Sequence, residues 1–291
     1  MQKRLVQLFL SALFIASAQL IAAQNQALGR PVAIDKLPAG SLYVLGAQGA
    51  VHAVDFVNGD PAITGTFRLP PGWAGADIVS ANIGGQNVLF LAVNYGLTGQ
   101  VCMYSTTGNL IRSWTLRSGV AGIDYYAPDS TLFVASGRTP EIFRISMSKG
   151  SQPEFLAQAS GSQRLGPILY DPRQNALLAS DIAMGAIYKV DIAHRNSSLL
   201  FSGLTSPQAL MLSEDGSMLF VADAGARDVV TFPVMQPRAA ARVFAKIPQF
   251  RSPSGLASLE DGRVAVSDDG ARKLFFLSKT GSLEDVLPGE R

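Results

Sequence analysis

The chain has 291 residues and a formal net charge of +2, with charged residues at only 16% of positions against 47% hydrophobic ones. So small a charge, with no basic cluster interleaved with aromatic residues, argues against a nucleic-acid-binding protein. The 28 glycines and 16 prolines favour strands joined by tight turns over long helices. A single cysteine, Cys102, excludes an internal disulfide, and its apolar neighbours predict a small buried side chain.

Residues 1–23 have the parts of a secretory signal peptide. Two basic residues at positions 3 and 4 precede an apolar stretch over 5–15, and small residues at 16–18 or 22–23 offer cleavage sites. We therefore expect an exported protein, periplasmic or secreted, with no membrane attachment after cleavage. An uncleaved anchor is the alternative, but polar residues interrupt the stretch too often for a span of about 20 apolar residues.

From residue 31 to residue 289 the chain consists of short strand-like segments that group into six units. Each unit is predicted to contain four antiparallel strands, with a glycine- or proline-containing turn between the first and the second. The units span residues 31–70, 72–116, 117–160, 161–203, 204–249 and 250–289.

One position recurs every 42–48 residues, at the end of the second strand of each unit. A period of this length is typical of an architecture that uses one supersecondary unit many times. We call this position the column; its members, in chain order, are Gly46, Asn94, Ser136, Asp181, Asp223 and Asp268. Only the last three units are acidic there.

The last two units agree in sequence as well as in pattern. Asp223 and Asp268 each begin the string Asp-x-Gly-Ala-Arg, which ends at Arg227 in one unit and at Arg272 in the other. Each unit also opens with Ser-Pro, so that Gln208 and Ser254 directly follow the opening proline. Agreement of this kind indicates a true repeat.

Six four-stranded units with no helical domain predict an all-β fold, a six-bladed β-propeller over residues 31–289. A linear solenoid is the structural alternative, but its end units would need polar caps, and here the end units look like the middle ones. Because the first unit has its own first strand and the last its own fourth, we expect the ring to close by packing of the end blades without strand exchange.

The repeats resemble a known group. Pro207-x-x-Leu, Asp215-Gly216, Leu-Phe-Val-Ala-Asp over 219–223 and Gly-Ala-Arg over 225–227 look like the NHL repeat. The same pattern is similar to that of the wider six-bladed propeller superfamily, which includes gluconolactonases (SMP-30 or regucalcin-type proteins) and strictosidine-synthase-like proteins. The resemblance spans the whole repeat region and is specific in the last two or three units.

The resemblance implies a divalent cation held by a Glu, an Asn and an Asp at the starts of first strands, the Asn in Pro-Asn-Gly and the Asp in Pro-Asp-Gly. Here Gln208 and Ser254 stand in those two contexts, and no Glu opens the first unit. A serine in place of an aspartate removes the charge that a hard cation such as Ca²⁺ most needs. We therefore predict that the metal site does not carry over and that the protein needs no cofactor.

The column acids are the remaining candidates for a site. Asp181, Asp223, Asp268 and the neighbouring Asp269 could line one face and bind a cation. Alternatively, each acid caps its own turn by accepting hydrogen bonds from the backbone N–H groups of the loop that follows it, which is the interpretation that we favour. Arg227 and Arg272 follow two of these acids by four residues and could pair with them. The candidate ligand-binding residues at the channel mouth are thus Gln208, Ser254, Asp181, Asp223, Asp268, Arg227 and Arg272.

No catalytic pattern is recognised. The two histidines, His52 and His194, lie far apart in sequence, so we expect no histidine dyad. No nucleophile-elbow string is present for Ser-His-Asp catalysis. A strictosidine-synthase-like enzyme would need an acidic residue inside the channel, and the pattern offers none. Among the aromatic residues, Trp73, Trp114, Tyr125 and Tyr126 are expected to pack between blades; alternatively, Trp73 or Tyr126 lies at the channel mouth and stacks on a sugar or peptide.

These observations favour an exported, noncatalytic propeller that binds a protein, peptide or carbohydrate at the mouth of its channel. The alternative is a lactonase-type, metal-dependent hydrolase with a diverged metal site. Metal dependence distinguishes the two.

Overall fold

The computed structural model describes residues 28–38, 40–148, 151–236 and 239–287. The predicted signal peptide over residues 1–23 lies outside these ranges. The described part forms six four-stranded antiparallel sheets, each built from four strands that are consecutive in sequence. The all-β, six-bladed propeller expected from the repeat is therefore confirmed. Among the described residues, no helix is long and apolar enough to cross a membrane.

The strands follow one another around the ring, and the first strand of each blade lines the central channel. Their bounds are β1 Pro31–Lys36, β2 Leu42–Gly46, β3 Ala50–Val57 and β4 Asp60–Arg68 in blade 1; β5 Ala74–Ile83, β6 Gln86–Tyr95, β7 Thr98–Ser105 and β8 Leu110–Leu116 in blade 2; β9 Val120–Tyr126, β10 Thr131–Ser136, β11 Glu141–Ser146 and β12 Glu154–Gln158 in blade 3; β13 Leu165–Asp171, β14 Ala176–Asp181, β15 Ala186–Asp191 and β16 Asn196–Ser202 in blade 4; β17 Pro207–Leu212, β18 Met218–Asp223, β19 Asp228–Pro233 and β20 Arg242–Ala245 in blade 5; and β21 Pro253–Ser258, β22 Val264–Asp268, β23 Lys273–Leu277 and β24 Leu283–Leu287 in blade 6. A 3₁₀ helix, Ala127–Asp129, connects β9 to β10.

Turn chemistry sets the hairpins of the two best-matched blades. Gly216 in blade 5 and Gly262 in blade 6 have φ angles of 66° and 81°, in the left-handed region that glycine enters without a Cβ clash. Asp215 fixes the blade 5 turn, because its Oδ1 accepts hydrogen bonds from the N–H of Ser217 at 2.9 Å and from the Ser213 hydroxyl at 2.7 Å. The Asp-Gly pair in the sequence therefore marks a true hairpin.

Apolar residues from facing sheets fill the space between blades. Phe201 of blade 4 stacks on Phe232 of blade 5 with ring centroids 4.3 Å apart. Trp114 is 2% exposed and packs with Phe90 and Tyr125 in a cluster shared by blades 2 and 3. Burial of large aromatic side chains is a main source of stability in such sheets.

The ring closes between blade 6 and blade 1 without strand exchange. The two blades share an apolar cluster, in which Phe56 meets Phe276 edge to face at 5.3 Å. Polar contacts add to it: the Ser254 hydroxyl donates to the carbonyl oxygen of Pro31 at 2.7 Å. Closure therefore depends on side-chain packing and on a few specific hydrogen bonds.

Candidate functional site

The central channel opens into a cavity of about 510 Å³ lined by the inner strands of all six blades. Its mouth, as we define it, is the face on which each inner strand begins and each second strand ends. The column residues and the loops that follow them lie on this face. A cavity of this size is within the range of ordinary small-molecule sites, roughly 300–1,000 Å³.

A β-bulge shapes the start of every inner strand and turns one residue toward the channel. The register of the first and second strands shifts there in all six blades. Bulges often redirect side chains next to binding sites. The residues at or beside the bulges that line the cavity are Val32, Ala76, Ala121, Pro167, Gln208 and Ser254.

Gln208 and Ser254, both predicted from the sequence, thus line the cavity. They differ in how many of their side-chain hydrogen-bonding groups are free to bind a ligand. The Gln208 amide is partly exposed and donates one hydrogen bond, to the Ser206 hydroxyl at 3.0 Å. Ser254 is only 8% exposed, and its hydroxyl lies between the carbonyl of Pro31 and Ser267. The Ser254 hydroxyl is therefore already hydrogen-bonded within the ring closure.

The column acids cap the turns around them. Asp181 is buried and accepts hydrogen bonds from the N–H groups of Gln163 at 2.6 Å and Arg164 at 3.3 Å, on the segment leading into its blade. It also accepts from Ala183 and Met184, in the turn that follows it, at 2.9 and 3.0 Å. Burial acts to raise the pKa of Asp181, but these hydrogen bonds lower it below the usual range.

Asp223 and Asp268 repeat this arrangement. Asp223 accepts from the N–H groups of Thr205, Ser206 and Ala226 at 2.7, 2.7 and 3.3 Å. Asp268 likewise accepts three backbone N–H groups, from Arg251, Ser252 and Ala271, at 2.7–2.8 Å. Both carboxylates are buried, so their oxygens face the protein backbone.

Two of the other three column residues keep a related role with weaker hydrogen bonds, whereas Gly46 has no side chain to do so. The Ser136 hydroxyl oxygen accepts from the N–H groups of Arg138 and Thr139 at 3.3 and 3.2 Å. The Asn94 side chain bonds both the N–H and the carbonyl of Val120, at 2.9 and 2.8 Å, and so links blade 2 to blade 3. The column therefore joins segments of backbone in the blades that it marks.

Arg227 and Arg272 do not pair with these acids. Both have positive φ angles, 58° and 57°, because they occupy the left-handed position at the end of the turn. Among the described residues, neither guanidinium makes an ion pair with Asp223 or Asp268. The acids' hydrogen bonds come instead from the backbone, and the pairing suggested by the four-residue spacing was wrong.

Three acids that the sequence pattern did not single out lie inside the channel. They are Asp35, Asp77 and Asp124, on the inner strands of blades 1, 2 and 3, and we call them the channel acids. The expectation that the channel contains no acidic residue was therefore wrong. Each of these side chains is enclosed by the surrounding strands yet partly open to the channel.

Each channel acid bonds to the inner strand of the next blade. Asp35 Oδ2 accepts from the N–H and hydroxyl of Ser80 at 2.6 and 2.7 Å. Asp77 Oδ2 accepts from the N–H of Ile123 at 2.9 Å. Asp124 Oδ2 accepts in the same way from the N–H of Tyr170 at 2.5 Å. The channel acids therefore link the first four blades along the channel wall.

Burial raises the pKa of Asp77 to about 8 and that of Asp124 to about 7. It also raises the pKa of Asp35. Backbone hydrogen bonds oppose the shift, whereas the charges of neighbouring channel acids add to it. Asp77 and Asp124 therefore take up protons near neutral pH, whereas at Asp35 the charge of Lys36 also opposes the upward shift of the pKa.

The remaining reactive side chains lie away from the channel. His52 is buried on β3 of blade 1, where burial lowers its pKa to about 4. His194 is exposed on blade 4 and contacts Asp191. Cys102 is buried on β7, and burial raises its pKa to about 11, as befits a packed thiol rather than a nucleophile. The predicted separation of the two histidines is thus what the fold shows.

The donor set at the mouth does not fit the cation that the resemblance implies. Gln208 offers an amide, Ser254 is bonded within the ring closure, and Val32 follows the opening proline of blade 1. Within the described ranges, no group of three or more histidines, cysteines or acids is placed to hold a metal ion. No catalytic step can be derived through such an ion from these residues.

Two arginines at the mouth were also missed by sequence reasoning. Arg138 follows the column position of blade 3, and Arg164 directly precedes the inner strand of blade 4; both line the cavity and are exposed. In the part of the chain that the structure describes, neither guanidinium has an ion-pair or hydrogen-bond partner. They leave the mouth with unused cationic donors.

Comparison with known proteins supports the architecture. Residues 166–288 match the sequence profile of the SMP-30/gluconolactonase/LRE-like region family, which confirms the predicted resemblance in the C-terminal blades. No curated protein sequence matches the chain significantly.

Solved structures resemble the chain at low sequence identity. A streptogramin B lyase has 12% identity and a TM-score of 0.65, covering 90% of this chain and 84% of its own. A catalytically inactive virginiamycin B lyase from Staphylococcus aureus, with quinupristin, has 16% identity and a TM-score of 0.64, covering 91% and 85%. A chain of a nidogen/laminin complex has 16% identity and a TM-score of 0.69, covering 86% and 93%. These likenesses show the fold alone.

Proposed function

We propose that this propeller, related through its C-terminal blades to the SMP-30/gluconolactonase group, is an exported, noncatalytic binding module. It holds a protein, peptide or carbohydrate at the mouth of its channel and needs no metal cofactor. One observation carries the proposal: the mouth opens into a cavity of about 510 Å³ whose rim has unused donors, while the column acids are committed to the backbone.

The acids near the mouth are hydrogen-bonded to the backbone and the free side chains there are donors, which supports binding rather than catalysis. The oxygens of Asp181, Asp223 and Asp268 accept backbone N–H groups, so they cannot also act on a substrate without breaking their turns. The groups that remain at the mouth, an amide and two guanidinium groups, recognise polar ligands but do not transfer protons at neutral pH.

Export is part of the same proposal and is motivated by the basic, apolar and small-residue segments of residues 1–23. An exported module of this kind acts on ligands outside the cytoplasm. Mass measurement of the protein recovered from the periplasm or culture medium tests this: a mature chain beginning near residue 24 is expected. Retention of the full N-terminus in the cytoplasm would contradict it.

A lactonase-type hydrolase is the second candidate, favoured by the family match over residues 166–288. The channel acids add to it, because Asp77 and Asp124, with raised pKa values of about 8 and about 7, have the protonation behaviour of a general acid. Their hydrogen bonds to neighbouring inner strands are the reason to place this candidate second.

Turnover assays distinguish the two candidates. The purified protein would be incubated with glucono-δ-lactone and with a phenyl ester, in excess EDTA and in calcium, zinc or manganese. The proposal predicts hydrolysis at the buffer rate in every condition, with ligands from a small-molecule and peptide library raising the melting temperature equally with and without EDTA. Metal-dependent turnover that Asp77→Asn abolishes would establish the hydrolase instead.

A further inference from the structure

The repeat provides an internal comparison between two arginines at the mouth, Arg30 and Arg164. Each directly precedes the inner strand of its blade. The carbonyl oxygen of Arg30 accepts from the N–H of Ala47 at 2.8 Å, and that of Arg164 accepts from the N–H of Ile182 at 3.0 Å. The two arginines are therefore equivalent residues of blade 1 and blade 4, on opposite sides of the six-bladed ring.

Arg30 has an acidic partner on the preceding blade of the ring. Its Nε lies 2.7 Å from Oδ1 of Asp269, and its Nη2 lies 2.7 Å from Oδ2 of the same side chain. Two parallel hydrogen bonds between guanidinium and carboxylate form the preferred bidentate geometry of this pair. Blade 6 thus shows what this arginine position binds.

At Arg164 the corresponding acid is missing. The N–H of Gly137 donates to the carbonyl of Gly119 at 3.2 Å, just as the N–H of Asp269 donates to the carbonyl of Ser252 at 3.0 Å. Gly137 is therefore the blade 3 equivalent of Asp269, and both residues line the cavity. Because Gly137 has no side chain, the place beside Arg164 that corresponds to the Asp269 carboxylate beside Arg30 contains no carboxylate of the neighbouring blade.

A second cation lies beside that place. Arg138 directly follows Gly137, and a Cβ added to Gly119 would lie 3.9 Å from its Nε and 3.2 Å from Oδ1 of Asn94. Neither Arg138 nor Arg164 has an ion pair among the described residues. Two guanidinium groups without ion-pair partners at one mouth favour an anion there.

We propose that the carboxylate of an apolar ligand occupies this place, held by Arg164 and Arg138 as Asp269 is held by Arg30. This inference rests on the proposed function and names the ligand chemistry that the mouth selects. Carboxylate is chosen because the equivalent position of the same fold binds a carboxylate.

We assign the ligand an apolar body because apolar side chains, as well as the channel acids, line the cavity that the two arginines share. The channel wall next to them contains Ala121, Pro167 and Ile182. On the rim, Tyr95 and Leu97 flank the cavity-lining Gly96, and they are 58% and 67% exposed. Large apolar side chains exposed beside a cavity mark a binding surface.

Paired probes test the carboxylate directly. The binding of 4-phenylbutyrate and of its neutral amide to the purified protein would be measured by titration calorimetry. A second pair, a short phenylalanine-ending peptide with a free or an amidated C-terminus, tells whether the source is a small acid or a peptide end. We expect the acid of at least one pair to bind roughly tenfold more tightly than its amide, the lower end for a charge-assisted pair at an exposed site.

Gly137 offers the sharpest variants. Its φ is not in the positive region, and an added Cβ would meet its nearest atoms, on Val120, at 3.4 Å, which is ordinary contact. Gly137→Asp supplies the acid that Asp269 supplies to Arg30, so it should remove the preference for the acid probe. Gly137→Asn has nearly the same shape without the charge and should keep that preference.

Arginine variants complete the test. Arg164→Gln should lower the affinity for the acid probe roughly tenfold and leave the affinity for the amide unchanged. Arg227→Gln, an exposed arginine of the same face that does not line the channel cavity, should have no effect.

Three outcomes would overturn the inference: equal binding of acid and amide, equal effects of Gly137→Asp and Gly137→Asn, or no binding of any probe. The proposed function is tested separately: it stands if ligands of other chemistry raise the melting temperature. Metal-dependent turnover would overturn the proposed function itself.

Discussion

Removal of the Asp223 carboxylate tests the role of the column most clearly. In Asp223→Ala, the N–H groups of Thr205, Ser206 and Ala226 lose their acceptor at once. A single lost cap would cost about 1 kcal/mol. Here two bonds are 2.7 Å long, the third is 3.3 Å, and the side chain is 2% exposed, so water replaces the acceptor poorly.

We therefore expect the free energy of unfolding to fall by about 3 kcal/mol, summed over the lost hydrogen bonds. For a domain of this size the melting temperature should fall by roughly 6–12 °C. Differential scanning calorimetry measures the change, and Asp60→Ala, at an exposed aspartate of β4, is the matched control. If the two variants melt together, Asp223 does not cap its turns and the account of the column is refuted.

The remaining predictions concern pH, ring closure and metal. Asp77 and Asp124 have folded pKa values of about 8 and about 7, above the roughly 3.9 of the unfolded chain, so their stabilising contribution is full below pH about 4 and is lost as pH rises through 7–8. The melting temperature should therefore fall from about pH 6.5 to about pH 8, above the range in which His52 titrates, and level off by pH 9; the fall should be smaller in Asp77→Asn, and an equal slope in both proteins would contradict this. Ser254→Ala should lower the free energy of unfolding by about 1 kcal/mol, because it loses the hydrogen bond to Pro31. Ser258→Ala, at an exposed position of the same strand, should not lower it. Equal unfolding curves of the two variants in urea would exclude a role of Ser254 in closing the ring. Excess EDTA should leave the melting-temperature loss of the Asp223 variant unchanged; a loss that disappears in chelator would mean that the acid binds a cation.

The architecture could be predicted because it is repeated. Each blade uses the same local devices, such as the Asp-Gly hairpin and the capping acid, so six imperfect copies reinforce one another. Strand order followed directly, since every sheet is made from consecutive strands. The alignment of Gln208 and Ser254 also held: each lies at the inner-strand bulge beside a proline paired with the column acid.

The site residues were harder to predict because they are not repeated. In the strand register, Asp35 lies opposite Tyr43 and Asp124 lies opposite Phe133, and both of these partners are three residues before the column residue of their blade. Asp77 lies opposite Ala92, which is two residues before the column residue. Comparison of the repeats therefore gave no common acidic position. An Asp that interrupts an otherwise apolar inner strand was the available signal, because such a strand buries its acids.

Contacts across the ring were beyond local sequence reasoning. The bond from Ser254 to Pro31 joins residues 223 positions apart, and the pair of Arg30 and Asp269 joins residues 239 apart. Arg138 and Arg164 are meaningful only once Gly137 is seen to replace the acid of blade 6. Their role follows from comparing blades in three dimensions.

The column builds the fold, whereas Arg138 and Arg164 are the residues that we propose bind the ligand. Titration of 4-phenylbutyrate into protein labelled at arginine, with the Nε–H resonances followed by NMR, tests this most directly. We expect saturable shifts of the Arg138 and Arg164 resonances and no change at Arg227 and Arg272. Shifts confined to Arg227 and Arg272, or no shifts at all, would contradict this expectation.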